Sequence, residues 1–550
     1  MHLSHHRMAN VSVIGCVVWV LAAMPALLPG FAAAQVPGRI GVQLPSSAPG
    51  QLPGITAEPM PGAVVARQNL ALDQPHQSGI WLEPKITIQH TVTNNVRLDA
   101  TQLSDQVTEV IPGFRLVSDT ARIQGFVDYS LRTAHYARGT VSDQVWHNLN
   151  ARGTVEAVEK LFFVDVDGIV ALQPISAFGA PGDASPANPN MAQTSVFRIS
   201  PYLRGSLSGG ADYEVRYGVQ DVRSDAVNRT NVTVQDWLLH LGRQPMGQVW
   251  TWGLDATQQN LDYSNGRNID TTALRARVGY FPVSQLFLTG IVGVELTNHL
   301  TPVRESHNIV GFGIDWRPSE RTRLFFERES RYFGESHNAI FEYKTPRTVW
   351  RYTDKKAVVT GLGGASSSMG SLFDLLDGFY ARTEPNAIRR TQLVRSEIER
   401  MGLPASMQVF QDFLTSSSTL QRLQQMSLAL LGQRSTLALA YTRTDTRLLD
   451  GALQLGDDFD TNQRILQRGW SLVLGHRLTQ NSSINASLGQ TRSVGTVPGL
   501  ETKVRPLIFG WNTRVAPRTN IGIQLRRVLS DGSAGRYGES AIMGFITHRF

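Results

Sequence analysis

The sequence predicts an all-β fold: a large transmembrane, up-and-down antiparallel β-barrel of about 22 strands, with a margin of two to four, and a small helical insertion. Three observations support this prediction. Apolar and polar residues alternate over segments of about ten residues, short and long connections alternate between these segments, and the chain ends on a strand-like segment with a terminal aromatic residue. Tilted strands that cross a membrane show this combination.

The N-terminal segment has the features of a secretory signal peptide. A weakly basic start precedes an apolar run from Val11 to Leu28, and three alanines ending at Ala34 supply a small-residue cleavage site. We therefore expect residues 1–34 to be removed on export. The single cysteine, Cys16, lies inside this segment, so the predicted mature chain has no disulfide.

Composition excludes two classes of protein. After the signal peptide no apolar run is long enough for a membrane-spanning helix, which excludes a helical membrane protein. The formal net charge is +7, a balance that often indicates a nucleic-acid partner, but export makes nucleic acid an unsuitable one. The positive charge fits a polyanionic glycan, or lumen arginines that neutralise lumen carboxylates.

Strand periodicity begins after a linker. Residues 35–78 are rich in Pro, Gly, Ala and Gln and lack periodicity, which predicts a flexible periplasmic linker. From residue 79 a period of two takes over and continues to residue 550, the predicted barrel. In its first segment the apolar face carries Ile80, Leu82, Ile86, Ile88 and Val92, and the polar face carries Trp81, Glu83, Lys85, Thr87, Gln89 and Thr91.

The connections alternate in length. Short breaks such as 208–210 and 516–517 alternate with longer polar stretches, among them 175–193, 448–462 and 529–539. Outer-membrane barrels have tight periplasmic turns and longer external loops. An even strand number would then leave both termini in the periplasm of a Gram-negative cell, with outer-membrane lipid around the barrel.

The last ten residues predict a strand that closes the barrel. Phe550, Ile546 and Ile542 share one face of this segment. The terminal aromatic would lie in the interfacial girdle, where the final strand pairs with the first. Many bacterial outer-membrane barrels end this way, and the resemblance implies that these three residues form the signal read by the barrel-assembly machinery. The alternative is an ordinary C-terminal strand of a soluble β-sandwich.

Residues 355–417 interrupt the strand pattern. A Gly- and Ser-rich stretch precedes a predicted helix from Pro385 to Met401, in which Ile388, Val394 and Ile398 recur at helical spacing. The helix also carries Arg389, Arg390, Arg395 and Arg400. The insertion is either a plug that folds into the lumen, where these arginines would meet carboxylates, or a loop at the external surface.

Several structural motifs carry a family resemblance. They are the runs 311–322, 330–336 and 341–352, together with 402–404, 413–415 and 428–434. With these motifs residues 79–550 resemble the outer-membrane β-barrel family associated with the PEP-CTERM/exosortase system. The resemblance implies a Gram-negative envelope in which exopolysaccharide production and protein sorting are encoded together. Residues 354–359 depart from the acidic, Thr-rich strand end that we expect in this family.

Candidate binding residues are arginines on the polar strand faces. They are Arg122, Arg132, Arg216, Arg275, Arg277 and Arg526. Arginine binds carboxylate and phosphate through two hydrogen bonds, and rings of arginine favour anions in pores. The alternative is that these residues pair with lumen carboxylates and hold the barrel wall together. We find no motif for a nucleophile or a metal site, and expect no cofactor or metal.

The predicted function is a channel or an export- or secretion-linked component without catalytic chemistry, in an envelope that produces exopolysaccharide. Exopolysaccharide or another polyanionic glycan is the candidate partner. One alternative is a barrel hydrolase or glycan-modifying enzyme, for which only Asp165 and Asp167, on one strand face, offer a carboxylate pair. A second alternative is a general porin.

Overall fold

Twenty-two antiparallel strands form one closed sheet in the computed structural model. Each strand pairs with its neighbours in sequence, and β1 also pairs with β22, so the up-and-down barrel of the predicted fold class is confirmed. The strands are β1 (Gly79–Thr93), β2 (Asp105–Asp119), β3 (Ile123–Tyr136), β4 (Gln144–Val158), β5 (Phe162–Pro174), β6 (Met191–Ser206), β7 (Ala211–Ser224), β8 (Val232–Arg243), β9 (Trp250–Tyr263), β10 (Ile269–Val283), β11 (Leu286–Thr297), β12 (Glu305–Ser319), β13 (Thr322–Arg331), β14 (Gly334–Lys344), β15 (Thr348–Val359), β16 (Thr419–Leu431), β17 (Ser435–Leu448), β18 (Arg464–Arg477), β19 (Ser482–Val494), β20 (Glu501–Ala516), β21 (Thr519–Gly532) and β22 (Gly535–Arg549).

One α-helix, α1 (Ala387–Arg400), and a short 3-10 helix (Asp458–Asp460) accompany the described strands. The structure describes residues 79–550 except 181–186, 209, 227–230, 244–248, 265, 267, 360–375, 378–379, 381–383, 385–386, 401–412, 416, 450–457 and 534. The predicted signal peptide, 1–34, and linker, 35–78, lie outside the described residues. None of the helices in the described part of the chain is long and apolar enough to cross a membrane.

Side-chain alternation separates an apolar exterior from a polar lumen. On β1, Ile80, Leu82 and Ile88 point outward and are exposed, whereas Thr87 and Gln89 point inward. The same phase continues around the barrel, and large apolar side chains are exposed on strand after strand. An exposed apolar surface of this extent belongs in lipid, because a water-soluble surface does not carry it. The chain is therefore a barrel of the outer-membrane type.

The last strand closes the barrel as predicted. β22 pairs with β1 from Lys85 opposite Arg549 to Thr93 opposite Ala541. The backbone N–H of Phe550 donates to the carbonyl of Pro84 at 3.0 Å. Ile542, Ile546 and Phe550 of the predicted assembly signal all face outward, with exposed fractions of 58%, 44% and 63%.

The two ends of the barrel differ, as the turn pattern predicts. At one end, which we call the short-turn end, the connections are tight, as at 120–122, 284–285 and 517–518. β1 begins and β22 ends at this end, so both termini of the described barrel lie there. At the other end, which we call the long-loop end, most connections are longer, as at 175–190 and 449–463.

Two predicted boundaries differ from the structure. The predicted loop 529–539 is wrong, because β21 runs to Gly532 and β22 begins at Gly535 in a tight hairpin. Its polar residues lie within the two strands, where charge pairs accommodate them: Arg536 meets Asp531 at 2.8 Å. In addition, β15 extends to Val359, so the first five residues of the predicted insertion 355–417 belong to a strand that pairs with β16.

A substitution at the C-terminus tests the predicted assembly signal. Replacement of Phe550 by Ala removes an outward-facing ring but no lumen contact, so we expect little change in stability once the barrel has folded. If assembly machinery reads the terminal aromatic, the variant should give much less heat-modifiable barrel in cells yet refold normally in detergent. Equal yields in cells would show that Phe550 has no role in assembly.

Candidate functional site: a helix inside the lumen

The helix α1 packs against the inner wall. Val394 and Ile398 lie one turn apart on α1 and are buried together with Leu376, at exposed fractions of 0%, 1% and 0%. They pack against Ala438 of β17 and Val473 of β18, which are directly opposite each other on the lumen face. The insertion therefore folds into the barrel, the first of the two alternatives that the sequence left open.

Two arginines of α1 reach a different part of the wall. Nη2 of Arg389 lies 2.8 Å from a carboxylate oxygen of Asp119 on β2. Arg395 forms an ion pair with Asp128 on β3, and its guanidinium carbon lies 4.9 Å from the centre of the Phe126 ring. Since β2 and β3 are not neighbours of β17 and β18 in the sheet, α1 bridges two separate sectors of the wall.

The remaining arginines of α1 are Arg390 and Arg400, which the sequence also predicted to contact lumen carboxylates. Arg390 is buried against its own segment, with Nε 2.9 Å from Asp377 and Nη1 3.2 Å from the carbonyl of Glu384. This pair links α1 to the residue pair 376–377 of the same insertion. The side chains of Arg400 and Ile388 lie outside the described residues. The hydrogen bond from Arg389 to Asp119 raises the pKa of the Arg389 guanidinium, so this contact stays charged.

The insertion runs most of the length of the lumen. β15 ends and β16 begins at the long-loop end, but α1 contacts Asp119, the last residue of β2 at the short-turn end. On the way back, the N–H of Leu414 donates to the carbonyl of Pro174 at the long-loop end of β5, at 2.9 Å. Leu414 is fully buried in a lumen cluster that includes Val232 and Leu261. The segment is thus attached at both ends.

Loops at the long-loop end fold inward over part of the mouth. Phe178, Phe413, Phe459 and Ile465 form one buried cluster, which we call the mouth cluster. The hydroxyl of Ser176 donates to Asp458 at 2.8 Å, which ties two of these loops together. The mouth cluster and α1 therefore occupy opposite ends of the lumen.

The six predicted lumen arginines mostly hold the wall together. Arg132 pairs with Glu109, Arg216 with Asp165 and Glu214, Arg275 with Glu329, Arg277 with Asp255, and Arg526 with Glu539. Arg122 instead lies exposed in the turn between β2 and β3. These carboxylates belong to the same or nearby strands, so the arrangement supports bracing of the wall rather than a free ring of arginines.

Arg275 is the most deeply buried member of this set. Its side chain is 1% exposed, and its Nε lies 3.7 Å from the 7% exposed carboxylate of Glu329. Replacing Arg275 by Met removes the cation of this buried pair and leaves Glu329 only the charge of Arg331, which already pairs with Glu295. We expect the free energy of unfolding to fall by about 3 kcal/mol, the lower end of the range for breaking a buried ion pair. Urea unfolding of the refolded barrel, followed by tryptophan fluorescence, measures this change.

The matched control for Arg275→Met adds Glu329→Gln. Neutralising the carboxylate should restore most of the lost stability, because the penalty comes from an unpaired charge. If the double variant is as unstable as the single variant, Arg275 contributes through packing alone.

Asp165 and Asp167 do not form a catalytic carboxylate pair. Asp165 accepts from Nη1 of Arg216 at 2.7 Å and from the hydroxyl of Thr154 at 2.7 Å. Asp167 accepts from Nε of Arg152 at 2.8 Å. Each carboxylate is thus engaged by a different arginine, so the two do not face a common open site as a catalytic pair would. Within the described residues, no group of three or more His, Cys, Asp or Glu could hold a metal ion.

Comparisons with known proteins give structural likeness only. No protein-family model matches the chain, and no curated protein matches it. Among solved structures, the FrpB iron transporter from Neisseria meningitidis (F3-3 variant) is 9% identical, with 85% of this chain and 81% of that chain covered and a TM-score of 0.47. The ferric-catecholate import receptor Fiu from E. coli K12 is 8% identical, with 86% and 82% covered and a TM-score of 0.44.

The siderophore receptor PirA from Pseudomonas aeruginosa is 8% identical, with 87% of this chain and 81% of that chain covered and a TM-score of 0.36. These identities and TM-scores are too low to bear on function. The function of this chain must therefore be inferred from the geometry of its own lumen.

Proposed function

We propose that this chain is an outer-membrane channel, linked to export or secretion and without catalytic chemistry, whose own insertion closes the lumen at rest. The observation that carries the proposal is the bridge that α1 makes between the β2–β3 and β17–β18 sectors of the wall. Barrels of this strand number have a lumen too wide for wall side chains alone to fill. A segment inside the lumen is what keeps such a barrel sealed.

The contacts of α1 suit a closure that can be released. Its apolar contact with the wall involves small residues, Ala438 and Val473, and the Arg389 side chain is 45% exposed in its pair with Asp119. Partly exposed ion pairs contribute little to stability. The wall itself is closed by continuous strand pairing, so α1 can leave while the barrel stays folded.

We propose exopolysaccharide, or another polyanionic glycan, as the cargo or trigger. A polyanion competes for Arg389 and Arg395 with the carboxylates that now hold them, Asp119 and Asp128. The envelope setting rests on the resemblance to the family associated with the PEP-CTERM/exosortase system. We propose that recognition falls on Arg389 and Arg395, because these two hold α1 against the wall and Arg389 is 45% exposed in its pair.

A deletion strain tests the export role. In a Gram-negative strain that encodes this chain, its loss should leave exopolysaccharide cell-associated and lower the amount released to the medium, and the full-length gene should restore release. Complementation with an assembly-defective barrel is the control for indirect effects of expression. Unchanged release in the deletion strain would contradict the export role, and a soluble periplasmic location without heat-modifiable migration would contradict the channel itself.

A further inference from the structure

Four cations lie side by side on the outer surface of neighbouring strands. Arg443 of β17 is directly opposite Arg468 of β18, Arg468 is opposite Arg492 of β19, and Arg492 is opposite Lys503 of β20. We call these four residues the cation row. They share the outward face with the exposed apolar residues of the same strands and point away from the lumen.

The cation row lies at the edge of the apolar band, at the long-loop end. The next outward residues toward the middle of β17 and β18 are Tyr441 and Trp470, which are opposite each other and exposed. Beyond these rings lie exposed leucines such as Leu439 and Leu474. Aromatic residues mark the boundary between the hydrocarbon core and the headgroups, so the cation row lies at the depth of lipid headgroups.

Repulsion between its like charges makes the cation row destabilising by itself. Adjacent strands are about 4.8 Å apart, and like charges directly opposite each other destabilise a sheet. The nearest outward carboxylates are engaged: Asp445 pairs with Arg464 at 2.6 Å, and Glu501 with Arg492 at 2.6 Å. In the described part of the chain no ion pair involves Arg443, Arg468 or Lys503. The charge of Glu501 also acts on Arg468 and Lys503, but one carboxylate cannot neutralise three cations, so the row keeps positive charge that attracts an anion from outside the chain.

The balance of outward charge differs between sectors of the rim. At the same end of β7, β9 and β10, the outward charged residues are Asp221, Arg223, Asp262 and Asp270, of which Arg223 and Asp221 pair at 2.7 Å. A general attraction to anionic lipid would spread cations around the whole rim. Concentration on β17–β20 indicates a localised site.

A cavity extends the cation row. It has a volume of about 400 Å³ and is lined by Lys503, Arg505, Arg527 and Arg536, together with Asp531 and Leu529. Its cations exceed its carboxylates, and Asp531 already pairs with Arg536 at 2.8 Å. A headgroup that carries more than one phosphate could place one group on the row and another in the cavity.

We propose that the cation row and this cavity bind the phosphate groups of an anionic glycolipid in the membrane leaflet at the long-loop end. The occupant is a lipid because the site faces outward beside an apolar band, where acyl chains can pack on Leu439 and Leu474 while the headgroup meets the arginines. Binding a polyphosphorylated headgroup neutralises the row and relieves its repulsion.

Lipid titration of the purified full-length barrel in neutral detergent tests this site. The probes are lipid A with two phosphates, its phosphate-free analogue and inorganic phosphate, and the readouts are native mass spectrometry and the temperature of heat-modifiable unfolding. We expect tight binding of the phosphorylated lipid alone. The variant Arg443→Gln/Arg468→Gln/Arg492→Gln/Lys503→Gln should bind it more weakly, by roughly fivefold for each charge removed.

The matched control is Arg223→Gln/Arg328→Gln, which removes two outward cations that have carboxylate partners, Asp221 and Glu335. It should bind lipid as the parent does. Without lipid, the row variant should unfold at the same or a higher temperature, because repulsion is removed; if it does not fold, Arg468→Gln/Arg492→Gln replaces it. Equal lipid binding by parent and row variant, or equal protection by inorganic phosphate, would overturn the proposal.

Discussion

Deletion of residues 366–416 should raise the single-channel conductance of this barrel many-fold. The deletion removes α1 and with it the bridge from Val394 and Ile398 to the β17–β18 wall and from Arg389 and Arg395 to β2 and β3. The strand pairs that close the barrel are untouched, since β15 and β16 remain paired up to Val359 opposite Thr419. Planar-bilayer recording of the refolded protein measures the conductance directly.

The same deletion should sensitise cells to large antibiotics that an intact outer membrane excludes. Ser396→Ala supplies a matched control, because Ser396 is exposed on α1 and its hydroxyl donates to the carbonyl of Leu393 within the helix. A deletion barrel that assembles but conducts as the parent does would show that the insertion does not seal the lumen. Loss of heat-modifiable migration would show instead that the insertion is needed for assembly.

Charge reversal at Arg395 should release α1 without removing it. In Arg395→Glu a carboxylate would face Asp128, where the present guanidinium is mostly buried. We expect the attachment of α1 to the wall to weaken by on the order of 3 kcal/mol, the lower end of the range for breaking a buried ion pair. The lower end applies because Arg115, which lies 2.7 Å from Asp128, still neutralises this carboxylate. Recordings should then show flickering between the closed level and the conductance of the deletion barrel.

Two companion variants separate charge from size. Arg395→Gln keeps most of the side-chain volume and should open the channel less often than Arg395→Glu. Adding Asp128→Asn to Arg395→Glu should restore longer closed periods, because the repulsion is removed. If Arg395→Glu conducts no more than the parent, the apolar contacts of Val394 and Ile398 alone hold α1 in place.

The arginines show how far sequence reasoning reached. Inward and outward positions follow from the alternation of single strands, so Arg132, Arg216 and Arg526 could be assigned to the lumen from local pattern alone. Their partners could not be assigned, because a cross-strand pair depends on the register between strands. Arg132 meets Glu109 on the preceding strand, whereas Arg216 also meets Asp165, which lies two strands away.

The sequence pattern did not predict the hairpin at Gly532–Gly535 or the mouth cluster, because both depend on pairing and packing that local composition does not show. The polar residues of 529–539 resemble a loop, but backbone pairing of β21 with β22 continues through them to Gly532 opposite Gly535. The mouth cluster joins Phe178, Phe413 and Phe459, which are far apart in sequence. Several apolar residues in polar loops are the one signal that could have indicated an inward fold of these segments.

The sequence by itself determined the barrel: strand number near the observed 22, closure of β22 on β1 and the difference between the two ends. These features follow from contrasts between neighbouring residues, because lipid on one side and water on the other impose a period of two on every strand. Only the tertiary structure decided that α1 enters the lumen. Its helical pattern suits any apolar surface, and the wall that accepts Val394 and Ile398 exists only after β17 and β18 have paired.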